Sequence, residues 1–160
     1  MTAVKLICVG KMREKYFIEA FHEYEKRLSA YCRFECTELA EYRLPEDPKE
    51  SEISAALEKE SISIIGSIPK DAYVVALCVE GKKVSSEQLA KIISERENSG
   101  KPKMCFIIGG SYGLSENVKK LAALRLSMSD MTFPHHLARV MLAEQIYRSY
   151  KINEGSAYHK

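Results

Sequence analysis

CFIIGGSYGLS, residues 105–115, runs from four apolar residues into three glycines within five positions, then into Leu-Ser. A glycine in ordered structure costs about 0.5–1 kcal/mol relative to alanine. Three of them at the end of an apolar run therefore mark a tight turn, or a place where something approaches the backbone closely. The apolar half reads as a strand buried on both faces. Ser115 and Glu116 read as the start of a helix. A buried strand that passes through a turn into a helix is the repeating unit of an α/β sheet, so its neighbours decide the fold.

The unit repeats. AVKLICVG (3–10) and AYVVALCVEG (72–81) are two further near-continuous apolar runs. Between them Phe17, Ala20, Phe21, Tyr24, Leu28 and Tyr31 recur at helical spacing, and RFECTEL (33–39) alternates as a strand exposed on one side. YRLPEDPKE (42–50) is a polar, proline-punctuated loop, and a helix is predicted from about Ser51 to Ile65. Ser85 and Gln88 have capping-box spacing and open a helix that Gly100 ends. LRLSMS (124–129) is a short strand, MTFPHH (131–136) turns at Pro134, and a last helix runs to about Ile152. With no repeat and no linker, residues 1–160 read as one α/β domain, a mostly parallel sheet flanked by helices.

Composition agrees with a soluble globular protein: 46% hydrophobic and 29% charged residues. No stretch approaches the roughly 20 apolar residues of a membrane span. The N-terminal apolar run is short and lacks a small-residue cleavage site, so a cytoplasmic protein is expected. Five cysteines fit that compartment as reduced thiols; Cys8, Cys78 and Cys105 fall inside strand-like runs, and Cys32 and Cys36 have no second pair to complete a zinc site. Charge is uneven. Residues 101–160 carry nine basic and four acidic groups, a balance suited to a polyanionic partner, against nine and fourteen over residues 31–100.

Ligands of open α/β sheets bind outside the carboxyl ends of the strands. Gly109, Gly110 and Gly113 lie at such an end, before a helix N-terminus. Their spacing is neither the dinucleotide fingerprint nor a phosphate-binding loop with a following Lys-Ser/Thr. His135 and His136, adjacent at a helix start and without a third ligand, are expected to diverge and to hold no metal. PHHLARVMLAEQIYRSYKI (134–152) is apolar nearly all round: Leu137, Met141 and Tyr147 on one side, Leu142, Ala143, Ile146 and Tyr150 on the other. One side can cover the sheet, and the other is expected to meet a second subunit. Arg139, Glu144 and Arg148 on this helix fit an internal ion pair or a role at an interface or site.

FIIGGSYGLS, then LSMSDMTFPHHLARVMLAEQIYRSYKI, then a terminal AYHK together resemble the RlmH family of SPOUT-class RNA methyltransferases. The likeness covers essentially the whole chain, including LICVGKMREKYFIEAFHEYEKRL. The resemblance implies a trefoil knot at the C-terminal end of the fold, a homodimer, and S-adenosylmethionine as methyl donor. It implies ribosomal RNA as partner, on the ribosome, with methylation at N3 of a pseudouridine of the large subunit. By matched position Leu77 packs on the donor, Gly109 lets the backbone approach it, and Met128, Ser129, Asp130, Met131, Thr132 and Phe133 wrap its adenine. The acceptor nitrogen must lose a proton, and His159 is the candidate to take it, with Tyr158 as a stacking face. Arg139, Arg148 and Lys160 are candidates for phosphate contacts. The tail beyond Ile152 is expected at the subunit boundary, serving the partner's pocket. A related enzyme acting on tRNA and a non-enzymatic ribosome-associated factor are the competing readings.

Overall fold

β1 (Ala3–Val9) and β4 (Lys103–Ile108) run in parallel at the heart of the sheet, with Leu6 opposite Phe106 and Ile7 opposite Ile107. The computed structural model describes residues 1–160. β2 (Arg33–Leu39) flanks β1, while β3 (Tyr73–Lys83) and β5 (Leu124–Ser127) extend the sheet beyond β4. All pairings are parallel, in the order β2-β1-β4-β3-β5.

Side chains alternate across a strand, and both faces are covered. Leu6, Cys8, Val75 and Phe106 pack beneath α1 (Lys15–Leu28), α3 (Ser86–Glu97) and α5 (His135–Asn153). Ile7, Val9, Val74, Ala76, Cys105 and Ile107 pack beneath α2 (Glu50–Ser67) and α4 (Glu116–Leu121). That is why the inner stretches of these strands are almost wholly apolar, with Lys5 in β1 and Lys103 at the start of β4 as the exceptions. Each fully buried Leu, Ile or Phe contributes about 1.5–3 kcal/mol. The edge strand β2 keeps Arg33, Glu35 and Glu38 exposed. Both halves of the α3 capping box form: Ser85 Oγ accepts from the Gln88 amide at 3.1 Å, and Gln88 Oε1 from the Ser85 amide at 2.7 Å.

β1 passes the chain through α1 to β2 on one side of the sheet. β4 passes it through α4 to β5 on the other, and α1 and α4 lie on opposite faces. The two connections diverge above the β1–β4 pair and leave a crevice at its carboxyl edge, the topological switch point of such a sheet.

Three boundaries differ from the sequence expectation. α3 stops at Glu97, with Asn98 as its cap, before Gly100 is reached. β3 continues to Lys83 because it bulges: Leu126 pairs with Leu77 and again with Lys82, so residues 78–81 are re-aimed. β5 ends at Ser127, and Met128 turns away from the ladder. The second apolar side of α5 finds cover within its own chain only in part: Leu137 and Met141 stay half-buried, and Met141 lines a cleft of about 500 Å³. Tyr147 meets Tyr24 and Tyr31 with ring centroids 6.3 and 6.0 Å apart, and Gln145 is reached by Ser86 Oγ at 2.6 Å. Periodicity shows that a helix has two apolar sides, but not whether its neighbours come from its own chain.

Candidate active site at the carboxyl edge of the sheet

The carboxyl ends of β3, β4 and β5 enclose a pocket of about 530 Å³. Leu77, Ile108, Gly109, Leu126, Met128 and Phe133 line it, with Ser129, Met131 and Thr132 along one side. The strand ends place all of these: β4 delivers Gly109, the β3 bulge delivers Leu77, and the early end of β5 frees Met128. Gly109 is explained by the turn that follows it. A Cβ there would stand 2.2 Å from the Gly113 carbonyl oxygen, because the Gly113 amide closes the turn on the Gly110 carbonyl at 3.1 Å. Gly113 itself sits at φ 80°, the left-handed region that glycine tolerates. Turn and pocket wall are thus one feature, and the close approach that Gly109 permits is by the chain's own backbone.

Of the stretch Met128–Phe133, which the resemblance assigns to the adenine, the Asp130 side chain turns away from the pocket. Its carboxylate accepts from Lys83 Nζ at 2.7 Å, its side chain is 84% exposed, and it is absent from the pocket lining. The remaining five residues surround a loop whose amides are only partly used. The Met131 amide donates to Ser129 Oγ at 3.0 Å, whereas the amides of Thr132 and Phe133 have no partner in the protein. Two free donors beside an apolar wall suit a flat ligand with a polar edge.

A second cleft, of about 630 Å³, adjoins the first at the β1–β4 switch point, and Ser111 and His135 border both. Its walls are Gly10–Arg13 after β1, Ala40–Pro45 after β2, Tyr112, and His135 with His136 at the start of α5. The Glu41 carboxylate sits where the walls meet: Oε1 accepts from the Ser111 amide at 3.2 Å. A Cβ at Gly10 would stand 3.3 Å from Glu41 Oε2 and 3.9 Å from His135 Nε2, so carboxylate and imidazole converge over a bare backbone. Glu60, buried beneath the loop, accepts from the Tyr42 amide at 2.9 Å and fixes Tyr42 at the cleft. Burial pushes the Glu60 carboxyl up. Burial, with His136 beside it, pushes His135 below the ordinary imidazole value, and Glu41 partly opposes this. The two histidine rings do not diverge: their centroids lie 4.3 Å apart, and His136 Nδ1 is 3.0 Å from Glu14 Oε2. Sequence reading missed this cleft. Its signal was present, since Gly10 and Ala40 follow strand ends just as Gly109 does.

The other residues singled out in the sequence lie elsewhere. Arg139 is 2% exposed, with Nη1 on Glu38 Oε2 at 2.6 Å and Nη2 on the Gly10 carbonyl at 3.0 Å. It is an internal strut that no phosphate can reach. Arg148 Nε and Nη2 both donate to Glu144 Oε1, at 2.9 and 2.6 Å. Its guanidinium also lies over the Tyr158 ring, 4.8 Å from the centroid. The Tyr158 hydroxyl donates to Glu144 at 3.1 Å; burial and that carboxylate hold its pKa at about 12, so it stays protonated near neutral pH. His159 bridges Arg148, at 3.2 Å, and Glu87, at 2.8 Å. Tyr158 and His159 are therefore docked on α3 and α5 of their own chain, outside both cavities, while Lys160 is exposed.

Comparison with known proteins places this architecture. The family described as predicted SPOUT methyltransferase matches residues 2–159. The ribosomal RNA large subunit methyltransferase H of Clostridioides difficile is 46% identical over 157 residues, 98% of this chain and 99% of that protein. Its namesake from Bacillus pumilus is 45% identical over the same shares. Among solved structures, a probable methyltransferase from Bordetella pertussis Tohama I superimposes with a TM-score of 0.62, covering 92% of this chain and 94% of that one. A probable methylase family protein from Haemophilus influenzae gives 0.55, covering 98% and 70%. Each is 11% identical to this chain, so these two bear on the fold alone. With a whole-chain family match and relatives near half identity, the chain belongs to the SPOUT methyltransferase family, among the ribosomal RNA large subunit methyltransferases H.

Proposed function

We propose that this protein transfers a methyl group from S-adenosylmethionine to N3 of a pseudouridine in large-subunit ribosomal RNA, acting on the assembled ribosome. The large-subunit rRNA methyltransferase names of its relatives support the substrate class. The observation that carries the donor assignment is the glycine-turn pocket, with its apolar wall and the two free amides of Thr132 and Phe133. These residues fit the donor: Leu77, Met128 and Phe133 offer apolar and polarisable surface to the adenosyl group, and the free amides offer donors to its polar edge. Gly109, Ser129 and Met131 complete the wall. When bound, the donor supplies a methyl group activated on a sulfonium. The chain's part is to hold that group in line with the acceptor nitrogen, since positioning carries much of the rate of such a displacement.

The acceptor nitrogen's proton must also leave. Tyr158 and His159 do not reach the pocket of their own chain, so their proposed roles require a partner's pocket. We therefore retain the homodimer and the trefoil threading as parts of the same reading, in a cytoplasmic protein. Mixing a subunit lacking the tail after Gly155 with one whose donor pocket is blocked tests the shared site. Recovery of activity in mixed dimers supports it; formation of mixed dimers without recovery refutes it.

Calorimetry tests the donor. S-adenosylmethionine, or its demethylated product, is expected to bind in the presence of a chelator, and NAD is not. Binding of NAD alone would overturn the reading.

A further inference from the structure

The second cleft has the makings of a nucleotide site, and nothing in the donor assignment uses it. We propose that this cleft, between the loops that follow β1, β2 and β4, receives one unpaired nucleotide of the RNA substrate together with its flanking phosphates. The proposal rests on the RNA methyltransferase reading above and says where on the chain the acceptor enters.

Position supports it first. The cleft opens at the point where the β1 and β4 connections diverge, and ligands of open α/β sheets bind at that kind of crevice. It also shares Ser111 and His135 with the donor pocket, so a base lodged there abuts the donor. Charge comes next. Lys11, Arg13 and Arg43 stand around its rim, all exposed, and none has an acidic partner within ion-pair distance. This contrasts with Arg139 and Arg148, whose charges are already neutralised within the fold. Three free cations at one opening fit a polyanion's backbone.

The interior suits a base. Tyr42 and Tyr112 are 45% and 48% exposed on two of the cleft's loops; the Glu60 hydrogen bond holds the Tyr42 backbone, and Lys59 Nζ lies 5.5 Å from the Tyr42 ring centroid. Exposed aromatic faces flanked by cations are the usual platform for an unstacked base. Glu41 Oε2 makes no hydrogen bond within the protein and can accept from a ring N–H; a uracil-type base carries such groups. His136 Nε2 is buried with no partner, a second unused polar atom on the same wall.

The test is binding of a short single-stranded RNA carrying a central pseudouridine, read by fluorescence anisotropy, with S-adenosylhomocysteine binding read in parallel by calorimetry. The Lys11→Gln/Arg13→Gln/Arg43→Gln variant should weaken RNA binding at least tenfold. It should also lower the log–log salt slope by about 2, at about 0.7 per lost contact on a single strand. A charge-matched control, Lys26→Gln/Lys91→Gln/Lys120→Gln, should change the affinity less than threefold. S-adenosylhomocysteine affinity should be unchanged in both. With 4-thiouridine at the central position, photocrosslinks should fall on the peptides holding Tyr42 or Tyr112. RNA affinity unchanged in the rim variant, or crosslinks confined to the tail around Tyr158, would overturn the cleft assignment while leaving the RNA reading intact. A wild-type protein that binds S-adenosylhomocysteine but no RNA would overturn the RNA reading itself.

Discussion

Glu38, at the end of β2, and Arg139, in the first turns of α5, are joined by a 2.6 Å ion pair across 101 residues of chain. The same Glu38 oxygen accepts from the Met12 amide at 2.9 Å, and Arg139 also reaches the Gly10 carbonyl at 3.0 Å. Together they pin the loop after β1, one wall of the second cleft, to the helix that borders both cavities. Arg139 is buried, whereas the Glu38 side chain is 37% exposed. Losing the acid strands a charge in the core; losing the base leaves a carboxylate that water can reach. Glu38→Ala is therefore expected to cost about 3–5 kcal/mol and Arg139→Met distinctly less. In a double-mutant cycle by chemical denaturation the pair should show a coupling of about 1 kcal/mol or more. Independent, additive losses would contradict the strut.

Gly109→Ala should destabilise by about 1–3 kcal/mol, because its methyl group meets the Gly113 carbonyl and the turn must give way. Donor affinity should fall with it. Gly66, near the end of α2, has nothing within 4 Å of its Cβ position. Gly66→Ala should instead be neutral or stabilise by up to about 1 kcal/mol. Thermal melts of the two variants, beside calorimetry with S-adenosylhomocysteine, check both signs.

His135 carries a pH signature. Burial, the neighbouring His136 and Arg139 lower its pKa from 6.5, with Glu41 and Glu14 acting the other way. Its folded form thus takes up a proton at lower pH than its unfolded form. As pH falls through 6.5 toward the folded value, the unfolded chain gains a proton that the folded chain does not, and stability drops. Denaturation curves on either side of that value should show the drop, and His135→Gln should flatten it. A wild-type stability that falls no faster than the variant's as pH falls through this window would contradict the assignment.

Arg148→Ala should cost under about 1 kcal/mol, since the pair with Glu144 is partly exposed, yet it should loosen the tail. Arg148 supports both Tyr158 and His159. Amide hydrogen exchange over residues 156–160 should quicken in the variant, while exchange within β4 stays unchanged. An unaltered tail would mean that Tyr158 is held by Glu144 and Tyr147 alone.

What the sequence disclosed follows from range. The runs at 3–9, 73–78 and 103–108 were legible because strands covered on both faces read as nearly continuous apolar runs, broken here only by Lys5 and Lys103. RFECTEL was legible because an edge strand keeps one face wet. The glycine-lined end of β4 was legible because a buried strand runs straight into Gly109 and Gly110, whereas Leu77 and Met128–Phe133 came from the family resemblance and not from local pattern. Arg139 was not, since a charged letter gives no depth, and only the fold sets Glu38 against it. Glu41 lies 70 residues from Ser111, and His159 lies 72 from Glu87; neither pairing leaves a local pattern. The outward turn of the Asp130 side chain was not legible either, because only its salt bridge to Lys83 across the fold shows it.

The most direct test of the account is methyl transfer from labelled S-adenosylmethionine to purified ribosomes, with and without the pseudouridines of the large-subunit RNA, followed by nucleoside analysis. The account predicts label in large-subunit RNA as an N3-methylated pseudouridine, and none when pseudouridine is absent. Label in tRNA, or no transfer by a protein that binds S-adenosylmethionine, would contradict it.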